Sequence, residues 1–178
     1  MQGNLGTVYT QLGRFDRALN CNGLMLETSR ERGDLHALAV ALGNHGTILQ
    51  EAGKLDGSRD CFEEALQIAM QVGDTWHAAR HRAALARLAY LEGEWDLALV
   101  QFEQALPVLR AGQVPYFTVG PLLDAAELEM DRGRVEEAAQ LAREGTALAH
   151  DLGHDDELLR GQALEARVAS ARGADLAT

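Results

Sequence analysis

Cysteine, proline and aromatic residues are scarce in this chain of 178 residues, and each scarcity excludes a class of protein. Two cysteines cannot build a disulfide framework. Three prolines and 5% aromatic residues leave few helix breakers and little of the composition that β-sheets favour. The whole chain is 47% hydrophobic and is rich in Ala, Leu, Glu and Arg. This composition predicts an almost wholly helical protein with a sizeable core.

Positive charge and long apolar runs are also scarce. The chain has 16 Lys and Arg against 27 Asp and Glu, for a net charge of −11. The acidic excess argues against binding to nucleic acid or to an anionic membrane, because both depend on basic patches. No apolar run approaches the roughly 20 residues that a membrane span needs, and no signal-peptide pattern is visible. We therefore expect a cytoplasmic protein.

A repeat with a period of 40 residues runs through the whole sequence. It is marked by four related tetrapeptides, GRFD (13–16), GKLD (53–56), GEWD (93–96) and GRVE (133–136), with Gly173 in the same register. A second marker lies between them at Gly33 and Gly73, and Gly153 falls in phase two periods later. In the third interval Gly112 comes one residue early, so the spacing of the repeat is not exact there.

Each unit reads as two helices separated by glycine turns. Glycine readily takes the left-handed conformation that ends a helix, and the acidic residue three positions later favours the start of the next helix. Between these marks the apolar residues follow helical spacing, as in Phe62, Ala65, Leu66 and Ala69. The pattern predicts helices at about 35–52 and 56–72 in the second unit and roughly nine helices in all. Two-helix units of this size stack into an α-solenoid.

The repeated unit resembles the tetratricopeptide repeat (TPR). The first unit carries the resemblance best, with Leu5-Gly6, Tyr9, the 13–16 turn and Ala18-Leu19. The small residue early in the second helix recurs as Ala18, Ser58, Ala98 and Ala138, and the aromatic residue after it as Phe62 and Phe102. The fourth unit departs most. The period exceeds the usual length of about 34 residues, as in the long repeats of kinesin light chains and bacterial TPR signalling regulators.

The resemblance implies an all-α, right-handed solenoid of stacked antiparallel helix pairs, in a single TPR-like domain over residues 1–178. The units fall at about 1–34, 35–74, 75–114 and 115–154, with a partial unit at 155–178. Both ends are cut short relative to the repeat. The last helix could cap the stack, pair with another copy, or continue in a longer protein, and we favour the last of these.

Prolines mark one irregular region. Pro107 lies inside a predicted helix, so that helix should kink or end early. The linker around 111–115 should be the least regular connection. Pro115 fits the first position of the next helix, in which case Pro121 bends that helix.

No group of residues has the spacing of a catalytic site. His77 and His81 have the i, i+4 spacing of a metal pair. We identify no cysteine or acidic third ligand near them in the sequence, so we expect two partly exposed histidines and no metal. His45 occupies a core position and should be buried and neutral with one partner. Cys21 and Cys61 lie one repeat apart on packed helices, too far for a disulfide. We expect no enzyme activity and no cofactor.

A strip of polar residues recurs on the first helix of each unit, which in TPR proteins lines the concave face and holds peptides. Asn4 and Asn44 are equivalent, as are Thr7 and Thr47, and Gln11 aligns with Glu51. Later units place charged residues and one tyrosine on the same strip. They are Arg80, Arg87 and Tyr90, then Asp124, Glu127 and Asp131, then Arg160 and Arg167. Alternating charge along a groove gives register to a charged ligand.

We therefore predict a non-catalytic scaffold that binds a protein or peptide on this strip, as the sensor or interaction part of a bacterial regulator by analogy. Arg80 and Arg87 should contribute most, with the acidic residues of the strip competing for them. The alternative is a self-assembly module that dimerises through its unfinished terminal helices. A small-molecule sensor would need a closed apolar pocket, and an enzyme is the least favoured interpretation.

Overall fold

The computed structural model describes the backbone of residues 2–112 and 114–175, and the side chains of 5–112 and 114–173. Over this part of the chain it has nine α-helices and no strand. The helices are α1 (Gln2–Gln11), α2 (Phe15–Arg32), α3 (Leu35–Glu51), α4 (Leu55–Gln71), α5 (Thr75–Leu91), α6 (Trp95–Ala111), α7 (Tyr116–Asp131), α8 (Val135–Leu152) and α9 (Asp155–Asp175). Helices α3 and α4 lie within one residue of the bounds predicted from the sequence. None of the described helices has the length and apolarity needed to cross a membrane.

Glycines in the left-handed conformation end most of the helices, as the repeat predicts. Seven of them have positive φ between 64° and 81°, from Gly13 to Gly153. At Gly33 the glycine N–H donates to the carbonyl of Arg30, and the next N–H, of Asp34, donates to the carbonyl of Ser29. These bonds satisfy carbonyls that the end of a helix leaves open. Asp34 then begins α3 by accepting a hydrogen bond from the N–H of Ala37 at 3.0 Å.

The connection before α7 departs from this pattern, as expected. Gly112 is extended, with φ −73° and ψ 160°, and Pro115 stands just before the first helical residue instead of on it. The sequence predicts that the helix around Pro107 kinks or ends early. It does not end early, because α6 continues through Pro107 to Ala111. Pro107 has no N–H to donate to the carbonyl of Glu103. Both residues lie on the exposed side of α6. Water can satisfy that carbonyl, which lowers the cost of the proline.

The described helices group into two compact units, Met1–Leu88 and Ala89–Thr178. In the first unit α1 to α4 pack in chain order, each against the next. Its core is built largely from small residues, with Ala41, Ala65 and Ala69 wholly buried beside Leu42. In the second unit α6 to α9 pack in the same way, around Phe102, Leu109, Leu122, Leu123 and Leu128. The prediction of an all-α fold of stacked helix pairs is confirmed.

Small residues allow the helices of a pair to approach closely. Ala18, Ser58, Ala98 and Ala138, at the same position of four repeats, are all wholly buried. The hydroxyl of Ser58 donates to the carbonyl of Gly46 on the neighbouring helix at 2.8 Å. A Cβ on Gly46 would lie 3.0 Å from the ring of Phe62. Close helix packing therefore accounts for a glycine within α3.

Candidate functional site

On α1 and α3 the predicted polar strip consists of Asn, Thr, Gln and Glu side chains. Thr7 and Gln11 on α1 are exposed, as are Thr47 and Glu51 at the equivalent positions of α3, and Asn44 is half-buried. The hydroxyl of Thr47 donates to the carbonyl of Gly43 within its own helix at 3.1 Å. Asn4 lies outside the residues whose side chains are described. The remaining members of this set place hydroxyl, amide and carboxylate side chains at matching repeat positions, and all of them except Asn44 are exposed.

Arg80 and Arg87 lie on α5, two turns apart, and both are half-buried. The guanidinium of Arg80 lies over the ring of Trp76, 5.2 Å from its centroid. Stacking of this kind holds the planar group in place. Burial lowers the pKa of Arg80 to about 10, although the charge of Asp74 acts in the opposite direction. Arg80 therefore stays positively charged at neutral pH.

In the second unit the acidic and basic parts of the strip pair with each other. Arg160 on α9 donates to Glu127 on α7 at 3.0 Å and also bonds Asp124. Although burial acts to lower the pKa of Arg160, its hydrogen bonds to these carboxylates and their charges raise it above the ordinary value. The carboxylates that the sequence predicted as competitors for Arg80 and Arg87 thus have an arginine partner within their own unit.

Asp131 extends this pairing further along α7. It accepts hydrogen bonds from Arg167 on α9 at 3.2 Å and from the hydroxyl of Tyr90 at 2.5 Å. Tyr90 belongs to α5 but falls within the second unit. A ligand that used the strip in this unit would have to replace existing ion pairs.

His45 has a side-chain partner, as the sequence predicts, but it is less buried than expected. It is half-buried, and its Nδ1 lies 3.2 Å from the amide nitrogen of Asn22 on α2. The same amide nitrogen donates to the carbonyl of Ala41 at 2.9 Å. Burial, and secondarily the charge of Arg30, lowers the pKa of His45, so this histidine is neutral at physiological pH.

The expectation of two partly exposed histidines at positions 77 and 81 is wrong for His81. Its side chain is buried, with 3% of the residue exposed. A Cβ on Gly43 of α3 would lie 2.8 Å from Nδ1 of the ring, so the absence of a side chain there makes room for it. Burial, with the charges of Arg80 and His77, lowers the pKa of His81 to about 3. His81 is therefore a neutral packing residue between α3 and α5.

His77 belongs to a different group of three residues. Its Nδ1 lies 2.7 Å from Oδ2 of Asp74, and Nδ1 of His36 on α3 lies 2.9 Å from the same oxygen. The imidazoles of His36 and His77 meet edge to face, with centroids 5.1 Å apart. One ligand atom from each of the three residues can be chosen so that all lie within 4.8 Å of one another. We call His36, Asp74 and His77 the His–Asp–His cluster.

Sequence reasoning missed the acidic member of this cluster, although a signal was present. Asp74 precedes His77 by three residues, which places the two side chains one helical turn apart. The repeat pattern indicates only a helix cap at Asp74, and it does have that role: its Oδ1 accepts a hydrogen bond from the N–H of His77 at 3.0 Å. His36 is 38 residues away from Asp74 in the sequence and is brought close by the packing of α3 beside α5.

A second unpredicted feature is an open groove of about 370 Å³ in the second unit, lined by α6, α7 and α8. Its lining includes Phe102 and Leu128, which are buried, and Glu129, of which 7% is exposed. The Glu129 carboxylate lies 3.5 Å from a guanidinium nitrogen of Arg132 and 3.8 Å from one of Arg134. The groove is open to solvent, unlike the closed apolar pocket that a small-molecule sensor would need.

Both cysteines are free thiols, as predicted. Cys21 and Cys61 are each half-buried. Burial raises the pKa of the Cys61 thiol, and the negative charges of Glu64 and Asp60 act in the same direction. A thiol in this environment is a weak nucleophile.

Comparisons with known proteins agree with this architecture. A family model described as tetratricopeptide repeat matches residues 37–111. A putative kinesin light chain from Podosopora anserina with nearly identical TPR-like repeats is 17% identical, with a TM-score of 0.70, covering 97% of this chain and 85% of that one. BtubC from P. vanneervenii is 21% identical, with a TM-score of 0.67, covering 85% of this chain and 63% of that one.

A third similar structure is a Rap protein complexed with competence and sporulation factor. It is 15% identical, with a TM-score of 0.61, and the match covers 96% of this chain and 53% of that chain. This chain therefore spans about half the length of that protein. No curated protein matches the sequence. At these identities the solved structures show a shared fold.

Proposed function

We propose that the chain binds a protein or peptide on its odd-numbered helices, because the tetratricopeptide repeats that it matches over residues 37–111 typically build interaction scaffolds. The observation that carries this proposal is the repeated exposure of polar side chains on α1 and α3. Thr7 matches Thr47, and Gln11 matches Glu51, each at the same repeat position and each exposed. Hydroxyl, amide and carboxylate groups on one helix face can pair with the peptide groups of a ligand.

Arg80 and Arg87 set the charge of the ligand in this proposal. They lie on α5, and α5 packs beside α3, as the contacts of Gly43 with His81 and of Asp74 with His36 show. A guanidinium offers five donors in a plane and binds a carboxylate through two of them. We therefore expect an acidic segment of the partner to lie across α5.

The context that we propose is the sensor or interaction part of a bacterial regulator. It is supported by the likeness to the Rap protein that was solved with competence and sporulation factor. The likeness covers nearly all of this chain but about half of the Rap protein, so it supports the binding fold and not the whole regulator. Since fold alone does not determine function, the binding surface itself has to be tested.

The test begins with peptides selected on the full chain from a displayed random library. The affinity of a selected peptide is then measured by fluorescence anisotropy for the wild type and for the double variant Arg80→Glu, Arg87→Glu. Removing one partner of a buried charge pair costs about 2–5 kcal/mol, so the affinity should fall by at least about 30-fold.

The matched control is the double variant Arg17→Glu, Arg59→Glu. It makes the same change in net charge on α2 and α4, near helix N-termini, where Glu is favoured. The proposal predicts unchanged affinity for this control and wild-type helical content for both variants. Equal weakening by the two variants would indicate a general charge effect, and unchanged affinity in the Arg80, Arg87 variant would place the site elsewhere.

A second candidate function is self-assembly. Leu5 and Val8 lie on α1 and Leu12 directly follows it, with the spacing i, i+3 and i+7. They are 50%, 47% and 62% exposed. Apolar residues with this spacing form one exposed face of a helix, and a second copy of the chain could cover it. Light scattering over a range of concentrations separates the two candidates, because a mass that stays monomeric contradicts assembly.

A further inference from the structure

We propose that the His–Asp–His cluster of the first unit binds a divalent transition metal of the zinc class. Two imidazole nitrogens and one carboxylate oxygen form a donor set that suits zinc and its neighbours in the first transition row. The three residues come from the starts of α3 and α5, so the fold, and not a short sequence motif, brings them together. This inference concerns a different set of residues from the polar strip and does not depend on peptide binding.

The distances require only small side-chain movements. Zinc binds nitrogen and oxygen ligands at about 2.0–2.2 Å, which places neighbouring ligand atoms of a tetrahedral site about 3.3 Å apart. The two imidazole nitrogens now lie 2.7 Å and 2.9 Å from Oδ2 of Asp74. An ion that replaced the two hydrogen bonds would need these distances to open by about half an ångström. His36 can make this adjustment because 61% of its side chain is exposed.

Asp74 is held in place by a backbone hydrogen bond in addition to its contacts with the two imidazoles. Its Oδ1 accepts the N–H of His77, so Oδ2 is directed towards the two imidazoles. A ligating carboxylate that is itself hydrogen-bonded is the arrangement that orients ligands in known metal sites. His77 is fixed in turn by the ring of Trp76, 4.9 Å away and nearly perpendicular. Two of the three ligands are thus positioned before a metal binds.

The electrostatic cost of a cation at this position is offset locally. The cluster lies near the N-termini of α3 and α5, which carry partial positive charge and disfavour a cation. The carboxylates of Asp34 and Asp74 cap these two helices and compensate for that charge. Side-chain exposure of 17–18% at His77 and Asp74 shields two of the ligands from water, while the exposed side of His36 leaves a path for the ion and room for a further water ligand.

The test is metal titration of the full chain, freed of any histidine tag and of bound metal by chelation. Isothermal titration with ZnCl₂ should give one metal per chain. Titration with CoCl₂ should give the visible absorption bands of cobalt in a site of low coordination number, and these bands should disappear when zinc is added. Zinc should also raise the melting temperature, because a ligand that binds only the folded state stabilises it.

The variant that decides the question is His36→Ala. Its side chain is largely exposed, so its loss should leave the fold intact, as circular dichroism would show. Loss of a partner outside the direct ligands already weakens metal binding by about 10- to 100-fold, and loss of a ligand should weaken it by at least about 100-fold. His77→Gln should have a similar effect and serves as the second variant.

The control is His150→Ala, because His150 is also exposed and also lies beside an aspartate, with Nδ1 3.4 Å from Oδ1 of Asp151. This variant should bind zinc as the wild type does. The proposal is overturned if the wild type binds no metal stoichiometrically, if His36→Ala and His77→Gln keep wild-type affinity, or if His150→Ala weakens binding equally. The last result would identify surface histidines as the source of the signal.

Discussion

Gly43 offers a sharp test of the packing between α3 and α5. A Cβ built on Gly43 would overlap Cε1 of His81 and lie 2.8 Å from its Nδ1. The ring cannot move freely, because His81 is buried against Phe62 as well as α3. Gly43→Ala should therefore force a displacement of this ring or of the helix that carries it.

The expected magnitude is the difference between two opposing effects. Overpacking a well-packed site costs about 1–3 kcal/mol. Replacing a glycine within a helix by alanine stabilises it by about 1 kcal/mol. The net change in the free energy of unfolding at Gly43 should thus lie between about zero and a loss of about 2 kcal/mol. Gly23 is the matched control, since it lies inside α2 with no atom within 4 Å of the position that a Cβ would take, and Gly23→Ala should gain about 1 kcal/mol.

The assay is urea denaturation followed by circular dichroism, with the slope of the transition checked for constancy between variants. A double-mutant cycle with His81→Ala isolates the steric effect. In the His81→Ala background the ring is gone, and Gly43→Ala should become stabilising by about 1 kcal/mol, as at Gly23. If Gly43→Ala stabilises the wild type as much as Gly23→Ala does, the contact between Gly43 and His81 is not close and the reasoning fails.

Two further predictions concern the buried His81 and the two cysteines. His81 has a pKa of about 3 in the folded chain and about 6.5 when unfolded, so between these values the unfolded chain binds a proton that the folded chain does not. The free energy of unfolding should therefore fall by up to about 1.4 kcal/mol for each pH unit of acidification. Urea midpoints measured from pH 7 to pH 5 should fall less steeply in His81→Gln than in the wild type. Equal pH dependence in the two proteins would contradict the prediction. Cys21 and Cys61 are free, so the unfolded, unreduced chain should give two thiols with a colorimetric reagent, and a lower count would contradict the repeat geometry.

The repeat made the fold predictable from the sequence. Glycines in register mark the helix ends, because few other residues take positive φ at low cost, and Gly33 and Gly153 both do so where the pattern requires it. The small residues at positions such as Ala18 and Ser58 predict close helix pairs for the same physical reason: a larger side chain would not fit. At Pro107 the helix continues, because exposure to water lowers the penalty that would end a buried helix.

Contacts across the packing of α3 beside α5 were harder to predict. Asp74 is recognisable as a cap from its neighbours in the sequence, but its contact with His36 depends on how α3 and α5 pack. The buried position of His81 likewise depends on a glycine in another helix. Periodicity tells which face of a helix is buried, but not which polar atoms meet across two helices, since a rotation of a few degrees or a change of rotamer alters the partner.

The strip positions form ion pairs in the second unit but are mostly exposed on α1 and α3 of the first unit. This difference favours the first unit for binding. In the second unit Arg160 already satisfies Asp124 and Glu127, so a ligand there must break charge-assisted hydrogen bonds and compensate for their loss. On α1 and α3 of the first unit the exposed positions are in contact with water, and a ligand that replaces water with equivalent hydrogen bonds incurs a smaller penalty. Polar positions that repeat and stay exposed to water are therefore the stronger indication of a binding surface, and in this chain they lie on α1 and α3.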